Sequence, residues 1–413
     1  MAAASTKAAL IKMFKDVYLN RDLTNYSFRK TPLGDVVKKV DDFYGNNLIF
    51  PFNYGVNTGI YPTLDATNPA GRAGTFDKWV MDDTKPMYGR LTLDNPSMMR
   101  ASKDIGSYLR LKQKETKEIL THMKTIRLGW QLWGDGSSAI GRIAEAVTGA
   151  TDTTPLTVQN DGVNFHKDML LNASGTKTGG AIRTDKYRVT KVERYSSAET
   201  CKLTLSRVSG AADDWAINDY LYMDGFYDAA MHGIQSFITA SLPGTGGVPA
   251  TLFSMDRTDE PEMKAGWRGT FQGSVWETIK NLASVMGQYV DPDFSSAWLS
   301  HGKWYQLEQE LKAVGQLNYS TEKRKEFGTN VIVFNTPQGD VSVVCDPFCP
   351  STDVFMLRHK DIEIHTTGPL IHLADEDLEA LRLADADGLE IRYRSLAQTI
   401  IPYPWHCGRA PLQ

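Results

Sequence analysis

Apolar positions along the chain change their period several times, and each change marks an element. From Met98 they recur at three- and four-residue steps through Ala101, Ile105, Tyr108 and Leu109 to Ile119, Leu120, Met123, Ile126, Trp130 and Trp133. That spacing predicts one long helix over 96–133. Asp94-Asn95-Pro96 offers a capping oxygen and a first-turn proline, and Gly134-Asp135-Gly136 supplies the stop. At 1.5 Å per residue the rod would span roughly 55 Å. Its middle, Lys112 to Glu118 (KQKETKE), is polar on every side, so the ends pack and the centre bridges, as in a strut.

Elsewhere the period is shorter or lost. Residues 51–95 are crowded with Gly, Pro, Asn and Asp around brief alternations such as Gly89-Arg90-Leu91-Thr92-Leu93, which predicts a long turn-rich excursion in the form of an open hairpin. Between Thr151 and Gly225 the segments VNFHKDMLL, YRVTKVER, CKLTLSR and DYLYMDG read as strands of a small barrel or sandwich inserted in the chain. LPGTGGVPA, Leu242 to Ala250, is a connection. SVWETIKNLASVMGQYV and HGKWYQLEQELKAV then return to helical spacing. Three hairpins are expected after them: NVIVFNTPQGDVSVVC, a second around Arg358 to Asp361 in DVFMLRHKDIEIH, and a third from Leu381 to Tyr393 across an Asp-Gly turn. A strand and a proline-rich tail close the chain.

The 413 residues are 41% apolar and 23% charged, which suits a globular chain of two or three domains. No run of 18 apolar residues and no secretory leader stands in the sequence, so no membrane partner is expected and the chain is expected to stay in the cytosol. Charge is uneven. Residues 1–40 hold eight Lys/Arg (Lys7, Lys12, Lys15, Arg21, Arg29, Lys30, Lys38, Lys39) against Asp16, Asp22 and Asp35, a local +5 that leaves about −9 on the rest. A basic arm on an acidic body suits contact with nucleic acid or with an acidic patch on a neighbour, and a solvated helical face is the alternative reading of the same charges.

Candidate chemistry is thin. Cys345, Cys349, His359 and His365 follow one another as C-x3-C-x9-H-x5-H. A two-cysteine, two-histidine finger needs both histidines on one helix, whereas His365 lies in the alternating stretch IEIH, so no metal ligand is nominated. Gly134-x-Gly136-x-x-Ala139 follows a helix where a dinucleotide fingerprint follows a strand. Asp385 and Asp387 before Gly388 lack the closing glutamate of a calcium loop. His406 and Cys407, adjacent on an extended segment, point to opposite faces. No nucleophile elbow, zinc-protease pair or phosphate loop occurs, so no catalytic residue and no cofactor are nominated.

A basic arm, a turn-rich loop, a long strut helix and a mixed body that ends in ADADGLEIRYRSLAQTIIPYPWHCGRAPL, Ala384 to Leu412, stand in this order along the chain. In that order it resembles the major capsid proteins of tailed phages, the fold named for the Hong Kong phage. The resemblance implies an α+β fold with an N-terminal arm (1–50), an extended loop (51–95) and a spine helix with the first part of a peripheral domain (96–150). It further implies an inserted β domain (151–225), a peripheral return (226–264), an axial domain (265–370) and C-terminal peripheral strands (371–413). The implied function is self-assembly into hexamers and pentamers of an icosahedral head, formed in the host bacterial cytoplasm. Double-stranded DNA would lie on its inner face, and scaffold, portal and decoration proteins would be further partners. A cellular nanocompartment shell that encloses protein is the alternative of the same fold. Some members join subunits by a Lys–Asn isopeptide; Lys78 and Lys85 lie in the loop, with no partner assigned.

Inter-subunit contact is expected at Tyr61, Arg72, Phe76, Lys78, Trp79, Tyr88 and Arg90. The loop's aromatics show no periodic apolar face that would bury them in their own subunit, and its cations would meet an acidic neighbour. Lys12, Lys15, Lys38 and Lys39 are the expected charged contacts of the arm.

Overall fold

The computed structural model describes residues 31–45, 47–55, 60–63, 76–94, 105–145, 155–159, 163–197, 200–210, 215–289, 296–313, 321–323, 330–336, 339–373, 381–382 and 387–412. The expected start of the strut helix at 95–104 and most of the arm lie outside these residues. A short helix α1 (Pro32–Val36) leads into β1 (Lys38–Asp41), and β2 (Leu48–Asn53) and β3 (Phe76–Met81) pair as a separate two-stranded ribbon. β4 (Lys85–Asp94) precedes the spine helix α2 (Ile105–Thr125), whose 21 residues continue through a wider π-helical turn at Ile126–Gln131.

That turn has identifiable causes. Gly129 has φ −94° and ψ −105°, outside helical values, and a Cβ there would stand 2.9 Å from the Phe348 ring. Arg127, fully buried, donates to Gln131 Oε1 at 2.9 Å, to the Ser395 carbonyl at 2.9 Å and to the Lys85 carbonyl. The helix thus widens where one guanidinium ties it to two strands. Gly89 of β4 allows close approach on the same side, since a Cβ there would meet Met123 Sδ at 2.5 Å.

Next comes a closed barrel of six strands: β5 (Gly141–Ile143), β6 (Leu156–Gln159), β7 (Leu170–Ser174), β8 (Lys186–Ser197), β9 (Thr200–Ser209) and β10 (Tyr220–Met223), in the order β10-β5-β6-β9-β8-β7. Alternate residues Val158, Leu171, Val189, Leu203 and Leu221 fill it, and Tyr187 meets Trp215 edge to face at 4.6 Å. Strand pairing starts the barrel at Gly141, ahead of the 151 expected from the sequence, because β5 pairs with both β6 and β10.

The chain continues through α3 (Ile234–Phe237), the small pair β11 (Thr251–Leu252) and β12 (Met255–Asp256), α4 (Pro261–Ala265), β13 (Trp267–Arg268), α5 (Val275–Gly287), β14 (Ser296–Leu299) and α6 (His301–Ala313). β15 (Thr321–Lys323), β16 (Asn330–Thr336), β17 (Gly339–Cys345) and β18 (Asp353–Leu357) follow, then β19 (Glu363–Thr366), β20 (His372–Leu373), β21 (Leu381–Arg382), β22 (Gly388–Ile400) and β23 (Gly408–Pro411). Seven strands form one sheet in the order β13-β23-β18-β14-β17-β16-β15. Its two faces are both buried: Val354 and Met356 join the α5/α6 side with Ile279, Leu282 and Leu307, while Phe355 and Leu357 join Trp133 and Trp298 on the other. A second sheet of six runs β1-β19-β22-β20, with β4 and β21 also paired to β22.

Two expectations need correction. The hairpin around Arg358 to Asp361 does not form: β18 belongs to the seven-stranded sheet and β19 to the other, and the turn His359–Asp361 carries the chain between them. Alternation identified both strands but carries no information about partners. The division of 265–370 from 371–413 is also crossed, since β19 pairs with β22 and β23 pairs with β18.

Candidate assembly surfaces

The ribbon β2/β3 presents two unlike faces because antiparallel partners share a side. Phe50 stands opposite Trp79 and Phe52 opposite Asp77 on the inner face; Ile49 opposite Val80, Pro51 opposite Lys78 and Asn53 opposite Phe76 form the outer one. Inside, Trp79 is 0% exposed, meets Phe237 edge to face at 5.8 Å and donates its indole N–H to the Pro402 carbonyl at 3.3 Å. Outside, Ile49 is 51% and Phe76 71% exposed. Trp79 is therefore a core residue and not an inter-subunit contact. The turn-rich composition of 51–95 hid the alternation in FDKWVM that buries it.

The root of the ribbon is clamped. Lys264, 1% exposed, donates to Asp77 Oδ2 at 3.0 Å, Asp259 Oδ1 at 2.9 Å and the Asp256 carbonyl at 2.9 Å, and lies 4.4 Å from the centre of the Tyr54 ring. Burial pulls this ammonium's pKa down, and the two carboxylates more than offset it, so the net shift is upward. Beyond the clamp, Ile60 and Tyr61 are exposed, and Lys78 stands on the outer face. Arg72 lies outside the described residues.

Tyr88 and Arg90 belong to a different sheet. They sit on the outward face of β4, where Tyr88 is 68% exposed, while Met87 and Leu91 turn inward under α2. Arg90 reaches Glu390 of its own chain at 3.6 Å, and Arg392 binds the same carboxylate at 2.6 Å. The acidic partner expected on a neighbour is met within the subunit, because β4 pairs with β22 over ten residues and sets these side chains on one face.

Lys12 and Lys15 lie outside the described residues; Lys38 and Lys39 stand where the arm joins the body. Lys38 bonds to Glu363, and Lys39 donates to the Gly34 carbonyl at 2.7 Å, with burial and then Lys124 lowering its pKa. β1 runs parallel to β19, and His365 lies buried between Asp42 at 2.6 Å and Glu363 at 3.2 Å. α1 has no cap from Thr31; its Leu33 amide donates instead to Asp346 Oδ2 at 3.2 Å. Burial raises Asp346 to about 6, against the lowering effect of the Phe348 and Leu33 amides.

The four residues of the cysteine–histidine stretch are used separately. Cys345 ends β17, Cys349 is buried with its thiol 3.7 Å from the Trp298 carbonyl, His359 is in the turn and His365 is in β19. Burial pushes the Cys345 and Cys407 thiols up to about 12. Among the described residues no group of three or more His, Cys, Asp or Glu is arranged to hold a metal ion, and no helix is long and apolar enough to cross a membrane.

No family model and no curated protein matches the chain. Solved structures do resemble it over nearly its full length, and they are capsids. The capsid of an empty GTA particle is 7% identical, with 100% of this chain and 99% of that chain covered and a TM-score of 0.49. For the capsid of cyanophage P-SCSP1u the values are 8%, 97%, 93% and 0.48. For the capsid of Myoviridae phage XM1 they are 6%, 97%, 98% and 0.47.

Proposed function

We propose that the chain is a structural shell subunit of the tailed-phage kind, which assembles with copies of itself into hexamers and pentamers of an icosahedral head around double-stranded DNA. The observation that carries this reading is the ribbon β2/β3. Its inner face is locked into the subunit through Trp79, Phe52 and the Lys264 clamp, while its outer face offers Ile49 and Phe76 to solvent. A rigidly rooted two-stranded element with large apolar side chains exposed on its outer side has its use against another chain. Copies of one chain that repeat such a contact build closed, symmetric assemblies. The order of arm, ribbon, spine helix and mixed body supports the same reading through the resemblance already described.

Electron microscopy of the purified protein tests it directly: closed shells are expected from the wild type, and nucleic acid rather than a protein cargo inside particles taken from infected cells. The double variant Ile49→Ser/Phe76→Ser is expected to keep its circular dichroism and lose the shells. Shells of normal size from that variant would remove the ribbon from the assembly reading, and a monodisperse wild-type monomer under all salt conditions would remove the shell itself.

A further inference from the structure

The barrel meets the rest of the chain beside the kinked end of α2. On one side a cleft of about 630 Å³ separates them, with Trp130, Arg142, Tyr220 and Phe348 in its walls. On the other the seam closes on a cavity of about 20 Å³, bounded by His122, Thr125 and Trp130 of the helix and Asn164, His166 and Met169 of the barrel. Across it the His122 and His166 rings face each other edge to face, their centres 5.6 Å apart and their planes at 74°.

Among the described residues the cavity wall carries no carboxylate, lysine or arginine, and Arg194 of β8 donates to the Phe165 carbonyl, next to His166, at 2.9 Å. Phe348 is the contribution of the turn after β17, and its amide is bonded to Asp346. Glu118, one turn earlier on α2, is the charged group that acts on His122; burial outweighs it and holds that imidazole below its ordinary pKa. Lys167 and Asp168, next to His166 in the barrel, are exposed. The barrel hangs on two connections that contain left-handed residues, Gly136 and Ser138 on the way in (φ 88° and 67°) and Gly225 and Asp228 on the way out (φ 57° for Asp228). Ser138 and Asp228 adopt this conformation without glycine's freedom, which stores strain at the joint.

We propose that this seam is an acid-released lock. Protonation of the facing imidazoles puts two like charges on either side of a narrow, largely closed seam, and the barrel swings away from the spine helix about its two connections while its own strands stay paired. The lock concerns a seam within one chain and does not depend on the shell reading.

Amide hydrogen exchange of the full chain at pH 7.5 and pH 4.5, corrected for the intrinsic effect of pH on exchange, reads it. Protection over 122–130 and 163–171 is expected to fall at least tenfold at pH 4.5, with β8 and β9 unchanged. The permanently neutral double variant His122→Phe/His166→Phe is expected to keep its pH 7.5 protection at pH 4.5. Equal protection of the wild type at both pH values, or the same loss in the double variant, overturns the proposal. If the phenylalanine pair does not fold, His166→Gln removes one of the two charges, and its loss of protection is expected to stay under threefold; a full tenfold loss there overturns the lock equally.

Discussion

Asp346 and His232 pull the acid stability of the molecule in opposite directions. Asp346, 1% exposed, is raised by burial to about 6, so the folded chain holds its proton more tightly than the unfolded chain does. Stability from this group therefore rises as pH falls from about 6 to about 4, by about 3 kcal/mol at 1.36 kcal/mol per unit. Burial lowers His232 to about 4, helped by Lys85 and Arg257 and opposed by Asp135 and Asp228. The unfolded chain binds that proton first, so stability falls between about pH 6.5 and 4 by a similar amount, about 3 kcal/mol. Between these two groups the slopes are opposed and of similar size. Asp346→Asn should uncover the histidine and lose stability on acidification relative to wild type, and His232→Gln should gain it; urea midpoints at pH 7 and pH 4.5 read both, and parallel pH profiles would refute the assignment. Side-chain identity is equally decisive on the ribbon. Trp79→Ala should cost about 3 to 5 kcal/mol of subunit stability, as for other large core truncations. Phe76→Ser, 71% exposed in the original residue, should stay within about 0.5 kcal/mol. Chemical denaturation of the two variants separates a core position from a surface one three residues away.

At the scale of elements, what could be read from the sequence was type, and what could not was partnership. The helical spacing through Ile119 and Met123 is present in α2 and runs on to Ile126 and Trp130 in the π-helical turn that continues it, and VWETIKNLASVMG and HGKWYQLEQELKA are α5 and α6. Both rest on a period of 3.6, which is a local property. The mate of β4 is β22, about 300 positions away, and nothing in GRLTL alone names it. For the same reason DVFML and EIHT read as one hairpin although they serve two sheets. The open hairpin read in 51–95 is present as the ribbon, but its strands could not be bounded: they are 22 residues apart, β2 begins at Leu48, and Pro51 weakens it, tolerated because β2 is an edge strand. The π-helical turn is also beyond a periodic reading, because its cause is tertiary: Arg127 reaches carbonyls of Lys85 on β4 and Ser395 on β22. Arg127→Met keeps the stem and strips the donors, so three buried acceptors lose a partner. A loss of about 2 to 4 kcal/mol is expected, together with faster amide exchange in β4 and the central part of β22. A variant as stable as wild type would mean that packing of Gly129 on Phe348, rather than the guanidinium, holds the turn.

At the scale of the whole molecule, the two sheets are woven together by β19 and β23, which cross the boundary that a reading by chain order drew at 370, so neither sheet is expected to survive alone. The barrel is different. It closes on itself, fills its own interior, and enters and leaves the body at neighbouring points, with Asp228 N–H bonded to the Ser137 carbonyl at 3.2 Å and Ile140 N–H to the Leu221 carbonyl at 2.9 Å. Close entry and exit points let a domain be removed without moving the rest. Replacement of residues 140–224 by a short Gly/Ser bridge should leave one cooperative unfolding transition, with a modest loss because Trp130 and Phe226, 6.1 Å apart, come uncovered. Replacement of 151–225, the span read from the sequence, should behave much worse. It strands β5 without β6 and β10, leaving Ile143, 0% exposed in the intact chain, and the amides of Gly141 to Ile143 without a sheet. The two deletions differ at the N-terminal cut by eleven positions, so their comparison isolates β5. Calorimetry and size-exclusion chromatography of the pair check the boundary. A folded, soluble 140–224 deletion beside an aggregating 151–225 deletion is the expected outcome, and equal behaviour would show that β5 contributes little to the barrel it closes.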